Sequence, residues 1–305
     1  MSQVSHSRRA APALRLAAGT LLGRAVRQLR RADVVYGHGT DNARDDAAAL
    51  LMYVLGATAG LTSQALARTV TTGKRLAFEA LVQRRIRERL PAVYLTGTTW
   101  FAGVPMRIDP RALIPRSPLA ELIEKGFHPW ADAQRVRRVL DLGTGSGCIA
   151  IACAVYLPRA RIDAVDISPA ALTLARQNAR DLGLSRRVRC LLSDHFTALA
   201  GRRYDIIVSN PPYVGDRELK TLPAEYRHEP RIALAAGRLG LDSVRVILRK
   251  ARRHLNPGGL LIVEVGNTET AVRRAYPAVP FVWLEFTRGG GGVFLLTREQ
   301  LSSGR

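Results

Sequence analysis

The apolar positions of this chain change period partway along it. From Pro12 to about Leu90 they recur at helical spacing; from about Val136 they gather in short runs separated by helical stretches. In the first part Leu14, Leu21, Leu22, Val26 and Leu29 share a face with arginines between them, which predicts a helix over 14–29. Asp41-Asn42-Ala43-Arg44-Asp45-Asp46 can cap and charge a second helix whose apolar body is Ala47 to Leu55. A third is predicted over Lys74 to Leu90, with Leu76, Phe78, Leu81 and Ile86 inside and arginines outside, and Pro91 stops it. Tyr94 to Ile108, β-branched and aromatic around Gly97 and Gly103, reads as a hairpin.

The second part alternates strand and helix as a doubly wound α/β sheet does. Its strands are predicted at Val139–Leu142, Ile162–Val165, Val188–Leu192, Tyr204–Ser209 and Leu260–Val265. Phe281 to Phe286 and Val293 to Thr297 should form a closing antiparallel pair. Ser168 and Pro169 supply a cap and a first-turn proline for the helix between the second and third strands. The run Gly289 to Gly292 lacks the lysine and helix of a phosphate loop and reads as a hairpin turn. The predicted organisation is a helical domain over 1–92, a β-hairpin linker over 93–116 and a catalytic domain over 117–305.

The chemistry gathers where the strands end. Tyr204–Ser209 runs straight into Asn210-Pro211-Pro212-Tyr213, and two prolines cannot continue a ladder because they lack N–H donors. The rigid turn can hold the Asn210 amide oxygen and the Pro211 carbonyl as paired acceptors for one planar –NH2 group. Tyr213 can lie against the flat group that carries it. An amide or exocyclic amino nitrogen is a poor nucleophile because its lone pair is delocalised. Two hydrogen bonds to acceptors favour a nitrogen whose lone pair points at an electrophile.

Upstream, Val139-Leu140-Asp141-Leu142-Gly143-Thr144-Gly145-Ser146-Gly147 reads as a strand, a glycine turn and the opening of a helix. Such glycines let the backbone approach a ligand. The spacing is GxGxG, with Asp141 before the turn, and differs from the GxGxxG of nicotinamide-binding chains. Asp166 at the second strand end can accept from ribose hydroxyls, and Asp194 after the third can accept from an adenine amino group. This set fits S-adenosyl-L-methionine better than a dinucleotide.

These motifs resemble the HemK-type family of protein N5-glutamine methyltransferases, and the resemblance runs from about Asp41 to Leu301. Tyr94-Leu95-Thr96-Gly97, Leu113-Ile114-Pro115-Arg116, Glu229-Pro230-Arg231-Ile232-Ala233-Leu234 and Gly240-Leu241-Asp242 add to it. Pro115-Arg116-Ser117-Pro118-Leu119 and the C-terminal Gly290 to Leu301 resemble the branch that methylates a glutamine of large-subunit ribosomal protein three, rather than the release-factor branch. The resemblance implies a class I S-adenosyl-L-methionine-dependent fold, Rossmann-like, with a seven-stranded sheet and a small N-terminal helical domain, which either guides the substrate or only caps the catalytic domain. It implies Asn210, Pro211 and Tyr213 as catalytic residues, and Asp141, Gly143, Gly145, Gly147, Asp166, Asp194 and Asn210 at the cofactor. Asn210, Pro211, Pro212 and Tyr213 would meet the substrate, and Arg116 and Glu229 would either line its groove or pair with another charge.

Composition narrows the alternatives. Among 305 residues, 47% hydrophobic, no apolar run approaches the ~20 needed to span a membrane. Cys148, Cys153 and Cys190 form no CxxC pair and read as buried free thiols, with neither disulfide nor zinc. The six histidines show no ligand spacing, so no metal is expected, and His195 and His254 read as structural or solvent-facing. The net charge of +21, nearly all arginine, attracts polyanions but repels a basic ribosomal protein. Either the substrate is met near ribosomal RNA, or an acidic patch around the active site offsets the repulsion, or the arginines reflect coding bias alone. Residues 1–32 carry arginines and no acid. That suits a first helix behind a disordered tip, Met1 to Arg9, in a bacterial cytoplasm, or a mitochondrial transit segment, and the helix is favoured. Two further activities stay open: adenine-N6 methylation of DNA or RNA, since NPPY suits any planar NH2, and a non-catalytic basic assembly factor. The stretch between Tyr213 and Leu260 is too short for a sizeable target-recognition insert.

Overall fold

The structure, a computed structural model, describes residues 16–57 and 60–301. The basic tip, residues 1–9, lies outside the described residues, and so does Leu14. Two compact units divide the chain: the described residues up to Tyr36 with Thr40–Thr96, and Gly37–Gly39 with the chain from Gly97 onward.

The first unit holds three main helices, α1 (Ala18–Arg31), α2 (Ala43–Leu55) and α3 (Thr72–Glu88). The first helix starts later than its periodicity predicts. Leu16–Ala17 pairs antiparallel with Thr69–Val70, and the Ala18 N–H donates to the Arg68 carbonyl at 3.0 Å. Asn42 caps α2, its side chain accepting from the N–H groups of Arg44 and Asp45, and Gly56 closes it in the left-handed region at φ +72°. On α3 the inward face is Phe78, Val82 and Arg85. Leu76, expected inside, falls on the opposite side of the turn and is exposed. Arg85, expected outside, is buried, with Nε donating to Asp46 Oδ2 at 2.7 Å. That pair lets a guanidinium sit in an apolar core, because each charge satisfies the other.

The predicted hairpin is narrower than 94–108. Ala92–Thr96 forms a short helix, and the strands are Thr98–Phe101 and Val104–Arg107. Ala102 (φ +48°) and Gly103 (φ +69°) make the turn, the two positive φ values that a tight type I′ hairpin needs.

The second unit is built on seven strands: β1 (Arg138–Leu142), β2 (Arg161–Asp166), β3 (Val188–Leu192), β4 (Tyr204–Ser209), β5 (Leu255–Glu264), β6 (Val282–Leu284) and β7 (Val293–Thr297). Their order is β6-β7-β5-β4-β1-β2-β3, with β7 antiparallel to both neighbours and the rest parallel. β5 begins earlier than predicted: Tyr204 faces Leu255 and Ile206 faces Leu260, so 256–259 bulge out between them. Side chains alternate between two cores, as period two requires. Val139, Ile162, Ile206 and Ile262 enter one core, and Leu140, Val165, Ile207 and Leu261 the other. Helices α4 (Cys148–Tyr156) and α5 (Pro169–Asp181) flank the sheet, and α6 (Asp242–Lys250) buries Val244 and Ile247 in the second core. Chain order reverses between β1 and β4, so a crevice opens at the carboxyl ends of these two strands.

All three cysteines are free, and burial pushes the Cys148 thiol up to about 12, which leaves it unreactive. Among the described residues no helix is long and apolar enough to cross a membrane, and no cluster of His, Cys, Asp and Glu could hold a metal.

Candidate active site

The glycine turn after β1 is held from beneath. Asp141 is fully buried; its Oδ2 accepts from the Thr144 hydroxyl at 2.5 Å and from the Ala150 N–H at 3.0 Å. Burial raises its carboxyl to about 7 against those hydrogen bonds. Asp141 therefore fastens the turn to the start of α4 and does not line the cavity above it. The three glycines divide the work. A Cβ on Gly143 (φ +73°) would meet nothing within 4 Å, and one on Gly145 (φ +55°) would only touch Ala112, so both present bare backbone to the cavity. A Cβ on Gly147 would lie 3.1 Å from that of Ala175; this glycine lets α4 and α5 approach and is absent from the cavity wall.

Asp166 ends β2 with both carboxylate oxygens engaged. Oδ2 accepts from the Gly145 N–H and Oδ1 from the Ser168 N–H, each at 2.8 Å, while burial raises its pKa. Asp166 also lines the cavity, and an ionised carboxylate with about four lone-pair sites has acceptor capacity left. Asp194 and His195 follow β3 and also line the cavity, with Asp194 Oδ1 2.6 Å from His195 Nδ1. His195 thus stands at the site, held at φ +50°. His254 is structural, stacked on Phe196 at 4.7 Å.

Two cavities of about 260 Å³ each meet at the turn after β4. The first runs from Gly143 and Asp166 to Asn210, Pro211 and Pro212. Asn210 and Pro211 also wall the second, together with Tyr213, Tyr226 and Asn267. Ser209 anchors the turn by donating to the Leu142 carbonyl at 2.7 Å, and Val214 bridges to Leu234 and Ala236. Asn210 and Pro211, expected from the sequence to carry the paired acceptors, therefore line both cavities.

Arg116 lines both cavities, but its guanidinium is already committed. It grips Glu229 with two hydrogen bonds, at 2.6 and 2.8 Å, and lies over the Tyr226 ring at 5.3 Å. Glu229 is buried, accepts also from the Ile114 N–H at 3.1 Å, and reaches neither cavity wall. It holds the roof segment in place and is itself out of a substrate's reach.

The sequence reading passed over Glu264, Ser117 and Gly266. Glu264 ends β5, accepts from the Ser117 hydroxyl, and takes the Tyr213 hydroxyl at 3.3 Å. Burial pushes its carboxyl up to about 7. Gly266 (φ +49°) lies under the Tyr213 ring, where a Cβ would come within 2.7 Å of the ring carbons. An acid closing the apolar run Leu260 to Val263, with a glycine two residues later, was the available signal.

Comparison with known proteins agrees with this geometry. The model described as "Methyltransferase small domain" matches residues 128–225, and the "PrmC N-terminal domain" matches residues 20–97. The chain is 48% identical to the ribosomal protein uL3 glutamine methyltransferase of Xanthomonas campestris pv. campestris, covering 90% of this chain and 89% of that one. It is 45% identical to the protein of that name from Neisseria meningitidis serogroup B, covering 91% of each. Among solved structures, the catalytic domain of hMettl16 matches at a TM-score of 0.51 and 15% identity, covering 81% of this chain and 91% of that one; this likeness speaks to fold alone. The seven-stranded sheet with its glycine turn, the Asn210-Pro211-Pro212-Tyr213 turn and full-length relatives at this identity make the chain a member of the HemK-type family of protein glutamine methyltransferases, on the branch of the ribosomal protein uL3 enzymes.

Proposed function

We propose that this protein methylates the side-chain amide nitrogen (N5) of a glutamine in ribosomal protein uL3, large-subunit ribosomal protein three, with S-adenosyl-L-methionine as methyl source. The observation that carries the reading is the Asn210-Pro211 wall shared by two cavities. One cavity suits the cofactor: bare backbone at Gly143 and Gly145 admits it closely, and Asp166 keeps lone pairs for ribose hydroxyls. Asp194 stands at the same wall for the adenine end. The other cavity suits a side-chain amide. The cofactor supplies an electrophilic methyl on a sulfonium.

The protein's own part is placement. The Asn210 side-chain oxygen and the Pro211 carbonyl accept both amide hydrogens, which turns the nitrogen lone pair toward the first cavity. Tyr213, fixed through Glu264 and bedded on Gly266, walls the amide in. No base is needed before transfer, because the nitrogen's proton becomes acidic only once it is alkylated. Pro212 keeps the turn rigid, and Arg116, anchored by Glu229, roofs both cavities. The reaction belongs to the bacterial cytoplasm, and ribosomal RNA is part of the substrate's setting.

The test is transfer of labelled methyl from S-adenosyl-L-methionine to a panel of uL3, a class I release factor, DNA and RNA. Label on uL3 supports the reading. Label on the release factor reverses the branch, label on adenine replaces the substrate class, and no label on any of them removes the enzyme reading.

A further inference from the structure

Each of the five strands β1 to β5 begins at or just after a pair of arginines. The pairs are Arg137 and Arg138 at β1, Arg159 and Arg161 at β2, Arg186 and Arg187 at β3, Arg202 and Arg203 at β4, and Arg252 and Arg253 at β5. The register sets them side by side. Arg138 faces Arg161 across β1 and β2, the Arg161 N–H donates to the Arg137 carbonyl, and the Ile162 N–H donates to that of Arg187. Tyr204, next to Arg203, pairs with Leu255 just beyond Arg253. Five strands about 4.8 Å apart carry this row over roughly 20 Å.

Eight of the ten arginines are exposed; Arg187 and Arg202 are half-buried. The acids at this edge are spoken for. Asp163 takes Arg202 and the Tyr204 hydroxyl, and Asp205 takes the backbone N–H groups of Arg137 and Arg138. Arg161, Arg186, Arg203 and Arg253 make no ion pair among the described residues. The local field is positive: burial lowers the His254 pKa, and Lys250, Arg203 and Arg253 lower it further.

The opposite edge has the opposite sign. The same strands end within two residues of Asp141, Asp166, Asp194, Asn210 and Glu264. Five residues of strand, about 17 Å, separate the two edges. A ligand held on the arginine row would leave both cavities open.

We propose that this arginine edge docks structured RNA, and that the enzyme meets its ribosomal-protein substrate while held on ribosomal RNA; the second clause rests on the functional reading above. A protein of net charge +21 and a basic ribosomal protein repel at long range, and an RNA that binds both removes that barrier. All ten positions are arginine, whose planar fork matches phosphate oxygens two at a time. An anionic membrane would call for apolar side chains to insert beside the charges, and the turns here carry Pro158, Ser185 and Gly201 instead.

The test compares the full-length protein with two fourfold variants that lose equal charge. One is Arg161→Gln, Arg186→Gln, Arg203→Gln, Arg253→Gln; the control is Arg24→Gln, Arg27→Gln, Arg87→Gln, Arg274→Gln, all exposed. Binding to a large-subunit ribosomal RNA fragment is measured by fluorescence anisotropy across a salt series, beside methylation of isolated uL3. The edge variant should bind roughly tenfold or more weakly, with a shallower salt dependence, and the control within about threefold of wild type. Both should methylate isolated uL3 normally. Equal loss in both variants, no RNA binding by wild type, or an edge variant that loses only anionic vesicles would overturn the proposal. RNA binding through the edge without methyl transfer to uL3 would uphold the surface and sink the functional reading.

Discussion

Arg116 and Glu229 stand 113 positions apart in sequence and close on each other as a two-pronged pair. The Ile114 N–H shares the same carboxylate, so the segment that roofs both cavities is tied to the segment before Ile232 at three points. The Glu229 side chain has no exposure, while Arg116 keeps 23%.

Removing one member of this pair leaves the other charge without its partner. Glu229→Ala is expected to lower unfolding free energy by roughly 3 kcal/mol. Urea denaturation reads it directly; a loss below about 0.5 kcal/mol, the range of ordinary surface substitutions, would mean that the pair does not hold the roof.

Asn210 lines both cavities, and the proposed reaction takes its side-chain oxygen as one of two acceptors for the amide. Asn210→Ala should reduce kcat by ~10²-fold or more, the scale of a lost transition-state hydrogen bond. Cofactor affinity should stay within about threefold, because Gly143, Gly145 and Asp166 are untouched. Calorimetric titration beside single-turnover rates separates the two effects. Near-normal turnover would strip Asn210 of its role.

Gly266 bears on the proposed reaction through the Tyr213 ring. A methyl group there must push the ring aside, since it would lie 2.7–2.8 Å from two ring carbons, and φ +49° already disfavours a side chain. Gly266→Ala should lower kcat about tenfold or more while cofactor affinity holds. Loss of cofactor binding instead would place the damage elsewhere in the fold.

Glu264 links stability to pH. Burial raises its carboxyl from 4.5 to about 7, so the folded protein holds this proton more tightly than the unfolded chain does. Its contribution is complete below about pH 4.5 and is lost as pH rises through about 7, on the order of 3 kcal/mol at most. Glu264→Gln has no such proton. Wild type should therefore lose stability relative to the variant between about pH 4.5 and 7, with no further change above. Asp141, also raised to about 7, moves both proteins together and cancels in the difference. Melting temperatures across the range test this; a difference flat with pH would contradict it.

Much of this was legible in the sequence, for a physical reason. Strands buried on both faces read as uninterrupted apolar runs, and the polar residues where those runs stop mark the carboxyl edge of the sheet. Asp166 and Asn210 were found that way, and both stand at a cavity wall. Asp141 and Gly147 share the same motif, yet they serve the turn from beneath; spacing along the chain does not tell which side of a turn a residue faces. Glu229 and Glu264 depend on partners 113 and 147 residues away, Arg116 and Ser117, which no local pattern encodes. Leu76 and Arg85 show the same limit on a helix, where an ion pair with Asp46 settles which face turns inward.

The most direct measurement is fragment mass spectrometry of uL3 after incubation with the enzyme and S-adenosyl-L-methionine, repeated on uL3 with the mapped residue changed to glutamate. The account predicts one methyl group on the side-chain amide of one glutamine, and none when that amide is replaced by a carboxyl. Methyl on a backbone, a lysine or any side chain other than a glutamine amide would contradict it.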